Sequence, residues 1–341
     1  DLMRAELRNG NRSALSLSLK YNLEEILKRG EQAILFLNRR GSASYVFCRD
    51  CGFVLRCSRC NTQYTWHAGN ALLICHTCNH QRQMPKTCPG CGGVNIRQFG
   101  MGTESLEKLV LEAFPSARTL RWDADTVRYK GAHDLILDHF TQHRADILIG
   151  TQMLSKGLDL PLVTLVGIIL ADLSLHLPDF RAAERTFQLI TQVAGRAGRS
   201  SLGGKTILQT FAPENYALQY AARYDFKSFM ATELEYRKKL YYPPYSRLIR
   251  IEIRHPRADL AKEQALAVGE QMKDWIVEAD LRQTDLIGPA PCYYEKRGGL
   301  YRWQMLLRGT NPFRLLELHP PSSWDLGGAT LSVTVDPTSV L

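Results

Sequence analysis

Eight cysteines fall between Cys48 and Cys91 in four Cys-x-x-Cys arms: Cys48/Cys51, Cys57/Cys60, Cys75/Cys78 and Cys88/Cys91. No other feature limits the possible folds so strongly, because thiols this dense form a redox device, a disulfide scaffold or a grip on metal. A thioredoxin-type redox pair needs a single arm at a helix start, which is not this context. Disulfide scaffolds belong to oxidising compartments. Residues 1–20 hold no apolar signal-peptide core, and the longest apolar run, VTLVGIILA at 163–171, is half of what a membrane span needs. A cytoplasmic protein without a membrane partner is therefore expected, and there zinc outranks disulfides. Eight thiolates are the number required by two closed tetrahedral zinc sites with Zn–S bonds of about 2.3 Å.

The spacing suggests how the arms pair. Five residues separate Cys51 from Cys57, too few for both arms to reach one ion comfortably, whereas fourteen separate Cys60 from Cys75, close to a zinc-ribbon loop. The expected scheme is nested: Cys48, Cys51, Cys88 and Cys91 hold an outer zinc, and Cys57, Cys60, Cys75 and Cys78 an inner one. A crossed scheme, first arm with third and second with fourth, stays open. Each knuckle (CRDCG, CSRCN, CHTCN, CPGCG) ends in a residue that tolerates the left-handed backbone of a tight turn. With eight thiols available, His67, His76 and His80 are expected at the surface and not as ligands. Arg49, Arg56, Arg59, Tyr64, Trp66, Arg82 and Lys86, interleaved with the arms, are candidates to face nucleic acid or protein.

A chain of 341 residues is too long for one typical core and predicts two or three domains. NLEEILKRG (22–30) has a helical pattern with a Gly stop, and AILFLNRRG (33–41) reads as a buried strand ending in a basic loop. After the cysteines come helices over 103–114, 132–143 and 180–194, and strands over 119–122, 145–151, 163–172 and 204–211. Two-sided apolar strands alternating with helices predict an α/β domain, a parallel sheet with helices on both faces. The cysteine block, 46–96, is an insertion into that domain, which comprises 1–45 and 97–240. YYPPY (241–245) punctuates the chain. The alternating RLIRIEIRH, an amphipathic helix over 258–279 with Leu266, Met272, Trp275 and Ile276 for one face, YRWQMLLRG, a short helix over 312–318 and LSVTV follow, with room for one more strand near 286–295. That order predicts an α+β ferredoxin-like domain over 241–341.

The net charge of +9 favours a polyanionic partner without deciding it. Two motifs are more specific. GTQMLSKGLDLP (150–161) follows a strand, and QVAGRAGR (192–199) ends a helix with Arg196 and Arg199 beside glycines. Planar, always-charged guanidinium groups on such a turn suit a developing γ-phosphate; the bland alternative is helix-terminal charge favoured by the dipole. GGKT (203–206) does not make a Walker A loop, because the Gly required five positions before Gly204 is Arg199 and the segment leads into a strand. No DEAH-like box occurs either.

These stretches resemble motifs V and VI of superfamily 2 helicases. ILFLNRRG, the four-arm insertion, GTQML.KG.D.P.VTLVG, DFRAAERTFQL.TQVAGRAGR and KRGG.YRWQ occur in that order, and over nearly its whole length the chain is similar to the C-terminal part of the replication-restart family of DNA helicases. The resemblance implies a RecA-like helicase lobe 2 with an inserted two-zinc module, followed by the ferredoxin-like domain. It implies a monomeric DNA-dependent ATPase, using ATP with Mg²⁺, that unwinds 3′ to 5′, binds forked and single-stranded DNA and works with helicase-loading primosome proteins. Carried over by position, Arg196 and Arg199 meet the ATP phosphates with Gln192 in support, and Gly150, Thr151, Lys156, Gly157 and Asp159 couple nucleotide to DNA. Arg181, Glu184 and Arg185 belong to the same signature and reach the cleft or DNA. Lys296, Arg297, Arg302 and Trp303, in the basic hairpin-like stretch YEKRGGLYRWQMLLRG, are candidates for DNA or for the acidic tail of single-stranded-DNA-binding protein; the bland alternative is a β-hairpin with a solvated turn and a core Trp. Since this half of the ATP site lacks Walker A and DEAH elements, the isolated chain is expected to hydrolyse ATP negligibly. Two rival readings are a zinc-ribbon nucleic-acid module without a motor, which leaves GRAGR unused, and another superfamily 2 motor, which leaves the nested cysteines unexplained.

Overall fold

The computed structural model describes residues 3–37, 44–59, 63–67, 71–99, 101–123, 126–127, 131–151, 160–197 and 202–341. In chain order, α1 (Met3–Arg8) and α2 (Leu17–Lys28) lead into β1 (Gln32–Leu37), and then come β2 (Ser44–Cys48), β3 (Thr65–His67), β4 (Leu72–Ile74), β5 (Gln81–Arg82) and β6 (Ile96–Phe99). Next are α3 (Thr103–Ala113), β7 (Thr119–Trp122), α4 (Ala132–Thr141), β8 (Ile147–Gly150), β9 (Val163–Ile169), α5 (Ala182–Ala194), β10 (Lys205–Leu208), α6 (Tyr216–Ala222) and α7 (Phe226–Lys239). The last group is β11 (Arg247–His255), α8 (Ala258–Glu278), β12 (Thr284–Arg297), β13 (Leu300–Gly309), α9 (Phe313–Leu318) and β14 (Thr330–Val335). Among the described residues no helix is long and apolar enough to cross a membrane.

The first sheet is parallel, in the order β10-β9-β1-β8-β7. Every residue of β1 and β9 is buried, because both faces are covered. On one face Ile34, Phe36, Leu148 and Ile168 pack in a core with Phe187, Ile190 and Val193 of α5. On the other, Leu35, Leu37, Ile149 and Leu165 pack with Leu19, Leu23 and Ile26 of α2 and with Leu106 and Val110 of α3. Ser16 caps α2, its hydroxyl accepting from the Leu19 amide at 3.1 Å.

The cysteine block has its own antiparallel sheet, in the order β5-β4-β3-β2-β6, which the sequence did not lead us to expect. Its small core consists of Val46, Leu55, Tyr64, Leu73 and Ile96 with four buried cysteines. Tyr64 is therefore an interior residue, 1% exposed, and not part of a binding surface.

The third sheet is antiparallel, ordered β12-β13-β11-β14. With α8 between β11 and β12 and α9 between β13 and β14, this is the ferredoxin-like β-α-β-β-α-β arrangement, and the extra strand expected near 286–295 is β12. Ile249, Ile251 and Ile253 alternate inward beside Trp303, Met305 and Leu307. α8 packs through Ala261, Ala265, Val268 and Met272, while Leu266, expected on this face, is exposed. Small side chains bring the helix close: a Cβ on Gly269 would lie 2.8 Å from Pro289 Cδ.

Candidate functional site

The described cysteines of the 46–96 block form two groups. The sulfurs of Cys48, Cys51, Cys88 and Cys91 lie within 4.8 Å of one another, as do those of Cys57, Cys75 and Cys78; Cys60 lies outside the described residues. Separations are 3.7 Å for Cys48–Cys91, 3.7 Å for Cys51–Cys88 and 3.6 Å for Cys57–Cys78. A disulfide would bring two sulfurs to about 2.05 Å, whereas a tetrahedron with metal–sulfur bonds of about 2.3 Å has edges of about 3.8 Å. The geometry therefore suits a metal ion at the centre of each group, and the grouping is the nested one.

The knuckles prepare these sites. Gly52 N donates to Cys48 O and Gly92 N to Cys88 O, each at 2.8 Å, and Asn79 N donates to Cys75 O at 2.9 Å. The turns close with φ of +73° at Gly52 and Gly92 and +56° at Asn79, the left-handed conformation that glycine and asparagine tolerate best. Asp50 N points at Cys48 Sγ and Gly90 N at Cys88 Sγ, both at 3.3 Å, so backbone dipoles face the sulfurs. Burial pushes the Cys48 thiol up to about 12 and raises that of Cys51, while the backbone at Gly93 lowers that of Cys91. Four thiolates this close, two of them buried, need a cation among them.

The histidines of the block do not all lie on the surface, as had been expected. His76 is 4% exposed: its Nδ1 donates to the Pro291 carbonyl at 2.7 Å, and its Nε2 meets His67 Nε2 at 3.1 Å. His67 Nδ1 in turn lies 3.3 Å from Glu295 Oε2. The pair therefore joins the cysteine module to β12. His80 meets the hydroxyl of Tyr64 at 2.5 Å. Arg49, Arg56, Arg59, Arg82 and Lys86 are exposed, and Trp66 is half-buried.

At the carboxyl edge of the parallel sheet, where α/β proteins place ligands, Gly150 ends β8 and the Thr151 amide donates to Trp122 O at 3.3 Å. Gln192 is exposed on α5, and Arg196, just beyond the helix, is 7% exposed; this end of α5 meets the start of β10, where the Thr206 hydroxyl donates to the Ala194 carbonyl at 3.3 Å, so Arg196 and Gly150 lie at opposite edges of the sheet. Lys156, Gly157, Asp159 and Arg199 lie outside the described residues. The GGKT segment belongs to strand packing: Lys205 Nζ donates to Asn22 Oδ1 at 2.9 Å, and a Cβ on Gly204 would lie 1.8 Å from the Ala197 carbonyl oxygen.

Arg181 and Arg185 occupy the opposite end of α5. Arg181 donates to both oxygens of Glu184, at 2.6 and 3.2 Å, and Arg185 Nη1 to Asp179 Oδ2 at 2.9 Å. Both arginines also reach the Thr338 carbonyl, so in this structure they face the last strand's trailing segment. Burial raises the Glu184 carboxyl, but Arg181 and Arg237 outweigh it and hold it below its usual range.

The hairpin residues divide into two groups. Lys296 and Arg297 are exposed beside the Gly298-Gly299 turn, with Lys296 Nζ 4.7 Å from the Tyr301 ring centre. Arg302 and Trp303 are a correction to the surface reading. Arg302 is 7% exposed and donates to both Glu252 oxygens at 2.7 and 2.8 Å, and Trp303 belongs to the core. Strand alternation sends Trp303 inward, and Glu252 from the neighbouring strand neutralises Arg302.

A helicase-type parallel lobe, an inserted module with two cysteine groups and a ferredoxin-like domain define the class of protein. Residues 99–201 match the helicase conserved C-terminal domain, and residues 238–338 match the primosomal protein N C-terminal domain. The resemblance is to the C-terminal part of the replication restart protein PriA. Identity to PriA of Bacillus subtilis (strain 168) is 44% over 306 residues, covering 90% of this chain and 38% of that protein. Identity to PriA of Synechocystis sp. is 41% over 351 residues, covering 99% of this chain and 41% of the relative. The chain thus spans about two fifths of the length of these relatives. Among solved structures, the C-terminal domain of the DEAD-box protein Dbp5 is 13% identical with a TM-score of 0.32, covering 66% of this chain and 93% of that one, a likeness too slight to carry a conclusion.

Proposed function

We propose that this chain is the second motor lobe, zinc module and C-terminal domain of a replication-restart enzyme: an ATP-driven 3′ to 5′ DNA helicase that binds abandoned forks and starts primosome assembly. The observation that carries this reading is the similarity to PriA, which extends through both domains and the cysteine insertion between them. Arg196 and Arg199 contact the ATP phosphates with Gln192 in support, opposite a first lobe that supplies Walker A, the DEAH-like box and Mg²⁺. Gly150, Thr151, Lys156, Gly157 and Asp159 couple nucleotide state to DNA. Each cysteine group holds a structural zinc, with Cys60 completing the inner set. Lys296 and Arg297 are the contacts left on the hairpin for DNA or for the acidic tail of single-stranded-DNA-binding protein. The enzyme acts in the cytoplasm as a monomer with helicase-loading proteins.

The test compares the isolated chain with the full protein, first lobe included. The full protein hydrolyses ATP when forked DNA is added and unwinds the fork; the isolated chain hydrolyses ATP negligibly. Robust DNA-stimulated turnover from the isolated chain would show that the ATP site has been divided incorrectly. No turnover by the full protein would remove the motor reading.

A further inference from the structure

α5 touches two parts of the molecule that the proposed function treats separately. Its carboxyl end leads into Arg196, which the proposed function assigns to the ATP phosphates. Its amino end is held by the segment that follows β14. Ser339 Oγ donates to Asp179 Oδ2 at 2.6 Å and accepts from Arg185 Nη1 at 3.2 Å, while Arg185 Nη1 also donates to Asp179 at 2.9 Å. Arg181 and Arg185 both donate to the Thr338 carbonyl. Asp179 is buried and accepts from the Arg181 amide as well, so a single carboxylate joins the start of the helix to the C-terminal domain. The contact extends sideways. Phe180 stacks on Tyr242 with ring centres 5.6 Å apart, Arg237 lies over Phe180 and Arg308 of β13 over Tyr242. Arg237 also donates to Glu184 of α5 at 2.7 Å.

A helix of thirteen residues is a rigid rod about 20 Å long. Buried, charge-assisted contacts fix one end, and the other presents Arg196. We propose that Asp179, Arg185 and Ser339 form a latch through which α5 transmits contacts made by the C-terminal domain to the nucleotide-facing arginines. In this role Arg181 and Arg185 act inside the protein as positioning residues and do not touch DNA. The proposal rests on the motor reading above. A chain of buried, packed groups ending on a rigid element is a physical route for such coupling, and substitutions along routes of this kind change coupling by about 3- to 30-fold.

The test uses the full protein and the mildest change, Ser339→Ala, with Ser339→Thr as the conservative variant that keeps the hydroxyl. ATP hydrolysis without DNA and the KM for ATP stay within about twofold, the melting temperature is unchanged, and DNA-stimulated kcat falls at least about threefold. Ser339→Thr restores it, and Arg185→Ala reproduces the loss. Arg196→Ala is run alongside to separate the two claims. If Arg196→Ala abolishes hydrolysis while Ser339→Ala and Arg185→Ala keep full DNA stimulation, the latch is wrong and the motor reading stands. If Arg196→Ala changes nothing, the motor reading falls and the latch falls with it. Equal losses with and without DNA would mark the contact as merely structural and would also overturn the proposal.

Discussion

Arg302 illustrates what a residue's neighbours in sequence do not reveal. In YEKRGGLYRWQMLLRG it looks equivalent to Lys296 and Arg297, yet it ends buried on Glu252, which also receives Arg250 at 2.8 Å and Arg254 at 2.6 Å. The alternation that sends Trp303 to the core was legible, but the carboxylate that neutralises Arg302 arrives from a strand fifty positions earlier. The same holds for His67 and His76, whose partners lie on β12, while the cysteine turns, being local, were legible in four-residue units. The Glu252 cluster has a pH signature. Burial alone would raise the Glu252 carboxyl, but Arg302 and Arg254, with Arg250, bring it from 4.5 down to about 2. A carboxylate depressed in the folded state stabilises the fold above its unfolded pKa, and that contribution disappears as pH falls through the folded value. The C-terminal domain should therefore lose about 3 kcal/mol between pH 4.5 and about 2. Unfolding followed by intrinsic tryptophan fluorescence checks this. A midpoint that does not move over that window, or that moves equally in Glu252→Gln, would contradict the assignment.

Among the elements, the parallel sheet was the most legible, because strands buried on both faces are written as continuous apolar runs. α8 was less so. A reading by side-chain size favours Leu266, but the helix lies close to the sheet on Ala261, Ala265 and Gly269, and proximity selects small residues. The module's own sheet was not foreseen, since its strands are as short as the two residues of β5 and carry little periodicity. Such strands are marginal by themselves, and bound zinc supplies about 10–16 kcal/mol in small peptides. Chelation should therefore melt the module while the parallel sheet survives. By hydrogen exchange, amides of β3 and β4 lose protection and those of β1 and β9 keep it. Protection retained in β3 and β4 after removal of metal would show that the small core around Tyr64 and Leu73 folds without it.

At the scale of the molecule, three sheets are joined by contacts between residues far apart in sequence. Gln63 meets His176, tying the cysteine module to the parallel lobe. His67 and His76 tie it to the C-terminal domain, and Arg185 with Ser339 ties that domain back to the lobe. The order of domains was legible from punctuation and changes of period, but this closure was not, since no local pattern encodes which distant surfaces meet. The proposed contact of Arg196 and Arg199 with the ATP phosphates belongs to this scale. It is tested by DNA-stimulated ATP hydrolysis in the full protein carrying Arg199→Ala, with zinc content measured on the same sample. The expected result is a fall of about a thousandfold or more, the scale of an arginine finger, with zinc content unchanged at about two ions per chain, as two four-thiolate sites require. Unaltered hydrolysis in a folded, zinc-replete protein would contradict it.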